Sequence, residues 1–176
     1  MKDLVLFYDD TKKSCRDYAA EFAKFDHVEC EKASEYVNEQ LIYKTGGQIG
    51  LVFESENGKV PYSVLHIIWR LIADKRESHM IFVTGGSREL KALKSAKHDM
   101  EKRGLYVRNV YSKYILQKQK LQGDAAVRHI LDELSQGHEN LPQKEDIQNM
   151  NKKERRRRFR KEFKAYRKYM RQGYCE

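Results

Sequence analysis

The chain of 176 residues is 40% hydrophobic and 11% aromatic, a composition that excludes wholesale disorder and fits one domain with an appendage. Its charge is unevenly distributed. Residues 1–150 hold 23 basic and 23 acidic side chains, whereas residues 151–176 hold 12 basic and 3 acidic ones, so the whole net charge of +9 belongs to the last segment.

The first 138 residues alternate short apolar runs with amphipathic stretches, which predicts five βα units on a parallel sheet. Strands are expected at 4–8, 27–31, 49–53, 80–83 and 105–111. Helices are expected to begin at Ser14, Ser34, Pro61, Ser87 and Asp124. The second helix would run through Ile42 and the third through Ile72, with a polar linker between the fifth strand and the last helix.

The polar stretch 139–150 lacks periodicity and contains Pro142, which indicates a linker. A basic amphipathic helix is then expected over 151–176, with Asn151 and Glu154 as its capping pair. Its apolar residues form one stripe: Phe159, Phe163, Tyr166 and Met170. The sequence therefore predicts a domain over 1–138, a linker over 139–150 and a helix over 151–176.

Secretion, membrane spanning and metal binding have no signal in the sequence. The apolar run at the amino terminus is too short for a signal peptide, and no stretch approaches about 18 consecutive apolar residues. Cys15, Cys30 and Cys175 lie far apart without a CxxC or Cys/His cluster. We expect a cytoplasmic protein with free thiols and no transmembrane segment, in which Cys15 is either activated by the first helix or buried and inert.

Ligands of open parallel sheets bind beyond the carboxyl ends of the strands, where the strand order reverses. The loops at that position are 9–14, 54–59 and 84–88. The first loop reads DDTKKS, the third strand and its loop read IGLVF through Val60-Pro61, and the last loop begins TGGS. No HExxH, GxSxG or P-loop motif accompanies them, so no catalytic side chain is predicted.

These three loops, together with the five βα units, resemble a flavodoxin over residues 1–137. The family's phosphate loop has the form Ser/Thr-x-Thr-Gly-x-Thr/Ser, and its third strand and Gly-Gly turn are similar to the stretches above. The resemblance implies a flavodoxin-like, doubly wound three-layer α/β/α fold with a five-stranded parallel sheet in the order 2-1-3-4-5, to which the C-terminal helix is added.

The resemblance also implies a carrier of flavin mononucleotide (FMN) that transfers electrons to an unknown redox partner. Phosphate would be held at a helix amino terminus, and the other two loops would flank the ring. The residues that the resemblance assigns to the cofactor are Thr11, Lys12, Lys13, Ser14, Ser55, Glu56, Asn57, Gly58, Thr84, Gly85, Gly86 and Ser87.

The chain departs from the family at three of these places. Asp9 replaces a hydroxyl, Lys12 replaces the glycine of the phosphate loop, and Glu56 stands where an aromatic residue often stacks on the flavin. Tyr111 and Tyr114 would supply another stacking surface or be ordinary packing. The alternative is therefore a degenerate, flavin-free domain that serves as an interaction module.

The basic segment leaves several partners open. Its aromatic stripe can pack on its own domain or form a homodimer with a second copy. The cations of residues 151–172 can contact an acidic protein, a nucleic acid or an anionic membrane surface.

Overall fold

The structure is a computed structural model that describes residues 3–140, 151–154 and 157. Residues 3–140 form seven strands and five α-helices. They are β1 (Leu4–Tyr8), α1 (Lys13–Phe22), β2 (Val28–Lys32), β3 (Ile42–Lys44), β4 (Gln48–Ser55), α2 (Tyr62–Arg70), β5 (Leu71–Ala73), β6 (His79–Gly86), α3 (Glu89–Lys102), β7 (Val107–Ser112), α4 (Lys113–Lys118) and α5 (Gly123–Ser135).

Five of these strands form an all-parallel sheet in the order β2-β1-β4-β6-β7. The prediction of a five-stranded parallel α/β fold is confirmed. The predicted order 2-1-3-4-5 counted only these five strands, and the numbers shift because β3 and β5 form a separate two-stranded parallel sheet. The strand order reverses between β1 and β4, which pair from Leu4↔Gln48 to Tyr8↔Val52.

Both faces of the sheet are covered. One apolar core joins the sheet to α2 and α3, and the other joins it to α1 and α5. The central strands β4 and β6 are buried almost throughout. Burial on both faces explains why their sequences are continuous apolar runs rather than alternating ones.

The predicted helix from Ser34 through Ile42 is wrong. A 3₁₀ helix at Ala33–Tyr36 is followed by β3, which pairs Ile42 with Leu71 of β5. The Ser34 hydroxyl donates to Asp10 Oδ2 at 2.7 Å and the Ser34 amide to Asp10 Oδ1 at 3.0 Å. This carboxylate fixes the start of the segment, and the pairing with β5 turns it into a strand.

Three further predictions need correction. Ile72 belongs to β5 and not to the preceding helix, and the stretch after β7 predicted as a linker contains α4. Ser87 does not cap α3: the residue before α3 is Arg88, with a left-handed φ of 56° and no side-chain cap. Because β6 continues through Gly86, the predicted Gly-Gly turn is the last part of a strand.

After α5 the chain returns along β7, the last strand of the sheet. Asn140 Oδ1 accepts from the Val110 amide at 2.9 Å, and Asn140 Nδ2 donates to the Val110 carbonyl at 2.9 Å. Farther on, Asn151 and Glu154 form the predicted reciprocal pair, with contacts of 3.1 and 2.9 Å between each amide and the other side chain. The rest of the expected C-terminal helix, including its stripe, lies outside the described residues.

Candidate functional site

The loops after β1, β4 and β6 meet at the carboxyl ends of the strands, which we call the rim. The Ser14 hydroxyl lies 2.8 Å from Thr84 Oγ1 and donates to Glu54 Oε2 at 3.0 Å. Ser14 lies in the first turn of α1, whereas Glu54 and Thr84 lie near the ends of β4 and β6. The sequence therefore located the loops correctly, but one of the two proposed phosphate-binding hydroxyls bonds to a carboxylate.

The other hydroxyl, that of Thr11, also bonds to a carboxylate. Asp9 is only 1% exposed, and its Oδ1 accepts from the Thr11 hydroxyl at 2.6 Å and from the Thr11 amide at 3.1 Å. The Asp9 backbone carbonyl accepts from the Lys12 amide at 3.3 Å. An internal carboxylate thus takes the donors that the resemblance assigns to a phosphate.

The amino terminus of α1 keeps part of an anion site. Lys12 precedes the helix without a side-chain cap, and the amides of a first helical turn have no acceptor within the helix. Lys13 does not turn toward the rim, because its Nζ pairs with Asp17 at 2.6 Å on the exposed face of α1. Its cation therefore does not offset Asp9.

The two segments expected to flank a flavin ring contact each other directly. The amide of Gly58 donates to the Ser87 carbonyl at 3.1 Å and to Ser55 Oγ at 2.9 Å. The Ser55 hydroxyl donates to the same Ser87 carbonyl at 2.5 Å. An aromatic ring between two walls needs about 7 Å, since carbon atoms pack about 3.5 Å apart. The flanks leave no such space where they meet.

Two glycines make this closure possible. Gly58 has φ of 86° and follows Asn57 (φ 52°), and together they turn the chain between the paired residues Glu56 and Lys59. Gly86, also at φ 86°, lies against β4 so closely that a Cβ atom would stand 2.1 Å from the Ser55 carbonyl oxygen. The glycines bring the rim segments together.

Several carboxylates lie at or next to the rim. The pKa of Glu89 is raised to about 7, mainly by burial and also by the nearby charge of Glu54, although the amide of Tyr114, the cation of Lys113 and the hydroxyl of Ser112 lower it. Glu89 Oε2 accepts from the Tyr114 amide at 3.5 Å. The charges of the three loops balance, so it is the buried carboxyl of Asp9, directly beside the phosphate loop, that disfavours an anionic ligand.

Neither cysteine of the described chain is activated. Burial raises the pKa of Cys15 to about 11, and its Sγ lies 3.3 Å from Thr84 Oγ1. Burial likewise raises the pKa of Cys30 to about 11. Both thiols therefore stay protonated near neutral pH. Of the two states that the sequence allows for Cys15, activated or buried and inert, the structure has the buried and inert one.

The tyrosines considered for stacking do not provide a flavin surface at the rim. Tyr111 is buried, and its hydroxyl donates to Glu133 Oε2 at 2.8 Å. The ring of Tyr114 lies under Lys118, whose Nζ is 5.3 Å from the ring centroid. With the phosphate donors engaged and the ring flanks closed, the residues present do not fit FMN in the arrangement that the resemblance implies.

A second surface stands out because large apolar side chains are exposed there. We call it the α2 surface; its members are Val37, Leu41, Tyr43, Tyr62 and Trp69. The last two lie seven residues apart on α2, and His66 between them contacts the Glu39 carbonyl at 2.9 Å, which joins α2 to the 37–43 segment. Exposed aromatic side chains such as Tyr62 and Trp69 are enriched where proteins contact other proteins.

Other kinds of site find no support in residues 3–140, 151–154 and 157. Within these ranges no three His, Cys, Asp or Glu side chains are grouped so that they could hold a metal ion. Nor does any helix in this part of the chain have the length and apolar character needed to cross a bilayer.

Comparisons with known proteins establish neither a family nor a function for this chain. No protein-family model matches the chain, and no curated protein matches it. Among solved structures, the chain is similar to a flavoprotein in complex with FMN from Lactobacillus acidophilus NCFM, at 12% identity and a TM-score of 0.46. The match covers 68% of this chain and 98% of that one. The function of this chain therefore has to be inferred from its own residues.

Proposed function

We propose that this chain is a flavodoxin-like domain that works without a bound flavin, as an interaction module for an acidic protein. The observation that carries the proposal is the state of the two phosphate-binding hydroxyls. Thr11 bonds to the carboxylate of Asp9, and Ser14 bonds to that of Glu54. A flavin phosphate would have to displace both carboxylates from their donors.

Electrostatics oppose that exchange. A carboxylate about 4 Å from one unit of phosphate charge costs about 4 kcal/mol at the effective dielectric of a protein surface. Asp9 is almost fully buried, and its Oδ2 has no hydrogen-bond partner among the described residues. The amides and dipole of α1 contribute about 1 kcal/mol toward an anion, which does not offset this repulsion.

The partner is inferred from charge and apolar exposure. The surplus of cations in residues 151–176 favours an acidic partner, and the exposed Tyr62 and Trp69 of the α2 surface favour a protein over a nucleic acid. The reciprocal Asn151–Glu154 cap supports a helix that starts at the basic segment. The acidic protein would contact the basic segment, with the α2 surface as the apolar part of its docking site.

The test compares the whole chain with a version that ends at Met150. Poly-glutamate serves as the acidic probe and a short DNA duplex as the nucleic-acid probe, each titrated at 50 and 200 mM salt. We expect the whole chain to bind poly-glutamate at least tenfold more tightly than the shortened version, and the difference to shrink at higher salt. Equal binding by the two versions would contradict the proposal, and much tighter binding of DNA would replace the acidic protein by a nucleic acid.

A second candidate is an FMN-binding electron carrier, favoured by the convergence of three loops at the rim through Ser14 and Thr84. Absorbance near 375 and 450 nm in the purified protein would indicate oxidised flavin. We expect a colourless protein that does not bind added FMN. The double variant Asp9→Thr with Lys12→Gly restores the family's phosphate-loop residues and is expected to gain FMN affinity. FMN binding by the unaltered chain would establish the second candidate instead.

A further inference from the structure

A polar cavity of about 460 Å³ lies at the amino ends of the strands, opposite the rim. It is bounded by the beginning of β4, the residue before β6, the beginning of β7 and the chain that follows α5. Its volume is within the usual range of small-molecule sites, about 300–1,000 Å³. The polar residues that line it include Gln48, Ser78, Asn109, Glu133, His138 and Glu139.

One polar atom in this cavity is buried without a partner among the described residues. It is Glu139 Oε2, although Glu139 Oε1 accepts from Ser78 Oγ at 3.2 Å. Buried atoms of this kind are normally satisfied, so Glu139 Oε2 calls for a ligand or a water molecule. Gln48, which also lines the cavity, is only 8% exposed and offers a side-chain amide oxygen as a second acceptor.

The walls of the cavity are held in place by other contacts. Asn109 is 1% exposed, and its Nδ2 donates to Tyr111 Oη at 3.0 Å and to the His138 carbonyl at 2.8 Å. The Asn140 side chain pairs with both backbone groups of Val110. The segment that carries Glu139 is thus fixed on β7 from both sides, and its free oxygen does not depend on a mobile loop.

The charge of the cavity determines the class of ligand. Two carboxylates line it, and none of the lining residues is Lys or Arg. Glu133 accepts from the Tyr111 hydroxyl and lies 3.6 Å from His129 Nε2, and Glu139 lies 3.8 Å from Arg108 Nε. No cation of the described residues bonds to Glu139 Oε2. A ligand that fits must therefore bring positive charge and hydrogen-bond donors.

We propose that this cavity binds a small aliphatic amine, whose ammonium group donates to Glu139 and to the side-chain oxygen of Gln48. Ammonium is a compact cation with three donors, so one group satisfies several acceptors at once. Glu133 makes the same cavity more favourable for a diamine than for a monoamine. A neutral diol of equal length offers donors but no charge, and it binds less well.

The experiment titrates the whole chain with 1,4-diaminobutane and 1,4-butanediol by calorimetry at neutral pH. We expect saturable binding of one diamine and at least tenfold weaker binding of the diol. Glu139→Gln, which keeps the shape of the side chain, is expected to weaken diamine binding at least tenfold, and Gln48→Leu to weaken it as well. Glu56→Gln, at the opposite end of the sheet, removes one exposed carboxylate as the matched control and leaves the affinity unchanged.

Several results would overturn the proposal. They are the absence of saturable diamine binding, equal affinity for the diol, or an affinity that Glu139→Gln does not change while thermal unfolding shows that the variant is folded. The version ending at Met150 must bind the diamine like the whole chain. Tenfold tighter binding by that version would mean that the chain's own basic segment occupies the cavity, and it would also refute a free amine site.

Discussion

The two ends of the sheet differ in how much space they leave beside their polar groups. At the rim, Ser14 and Thr11 bond to carboxylates of the same region, and the loops that should flank a ring bond to each other through Gly58 and Ser87. At the amino ends of the strands, a cavity is lined by the nearly buried Gln48 and by Glu139, whose Oε2 has no partner among the described residues.

This difference shows that the fold determines where a site can lie but not which chemical groups are available there. The topology of a doubly wound sheet puts loops together at the rim, but it does not keep their donors available for a ligand. Unsatisfied buried groups are costly, and they survive where something satisfies them in the working protein. Both ends contain one such carboxylate oxygen, Asp9 Oδ2 at the rim and Glu139 Oε2 at the amino end. Only the amino end adds a cavity beside it, whereas the loops of the rim bond to each other. The amino end is therefore the better ligand site.

The most severe test of the closed rim is Gly86→Ala. The new Cβ would lie 2.1 Å from the Ser55 carbonyl, and the residue keeps a φ of 86° that side chains disfavour. We expect a loss of at least about 3 kcal/mol in the free energy of unfolding, measured with urea. Gly46→Ala is the control: it has φ of 91° but no atom within 4 Å of the new Cβ, so about 1 kcal/mol is expected. Equal losses would mean that the rim is not tightly closed.

The pH dependence of stability gives a second contrast, and Glu89 carries it at the rim. Because its pKa is raised from 4.5 to about 7, the unfolded chain releases this proton first as the pH rises. The ionisation of Glu89 therefore lowers the free energy of unfolding by up to about 3 kcal/mol between pH 4.5 and pH 7. Glu89→Gln should remove that loss. The free energy of unfolding of the variant, measured with urea, should therefore increase relative to that of the parent chain from pH 4 to pH 8. Parallel pH profiles would show that Glu89 ionises normally.

The amino end responds to pH in the opposite direction. His79 is fully buried: its Nδ1 accepts from the Ile49 amide at 3.0 Å, and its Nε2 lies 3.0 Å from the Asp74 carbonyl. Burial lowers its pKa below 6.5, although Asp74 and Glu77 raise it. The unfolded chain thus takes up this proton first as the pH falls below 6.5. At pH 5 the free energy of unfolding is lower by at most about 2 kcal/mol for this reason. His79→Asn should reduce the decrease in the free energy of unfolding between pH 7 and pH 5. An unchanged dependence of this free energy on pH would contradict the prediction.

The sequence predicted the parts of the fold that depend on long or repeated patterns. The central strands were recognisable because burial on both faces makes 49–53 and 80–83 continuously apolar. The segment around Tyr36 and Ile42 misled the prediction, since its apolar spacing suits a helix. Only the contacts of Ser34 with Asp10, and of β3 with β5, make it a 3₁₀ helix and a strand. No local pattern encodes pairing between positions so distant.

The same limit applies to the sites. The loops of the rim could be located from the order of the strands, but the partner of Ser14 could not, because Glu54 lies 40 positions away along the chain. The cavity gave no signal at all. Gln48 looked like the polar residue before a strand, and Glu139 fell at the start of a predicted linker. Their importance follows from lining one cavity, in which Glu139 Oε2 has no partner among the described residues, and composition and spacing do not reveal this.

The smallest expected effect concerns the wall of the cavity. Asn140 occupies the free edge of β7 by bonding to both the amide and the carbonyl of Val110, as a neighbouring strand would. Asn140→Ala removes both bonds and is expected to cost about 1 kcal/mol in the free energy of unfolding. The exposed Asn38 offers the control, for which Asn38→Ala should cost less than about 0.5 kcal/mol.

Hydrogen exchange at the Val110 amide distinguishes this local effect from general destabilisation. If Asn140 holds the wall, exchange at Val110 should accelerate in Asn140→Ala by more than the change in global stability explains, while amides of β1 follow the global change. The affinity for 1,4-diaminobutane should fall in the same variant, because Glu139 precedes Asn140 directly and loses its fixed position. Accelerated exchange with unchanged affinity would mean that the amine binds elsewhere. The two ends of the sheet would then differ only in how their side chains pack.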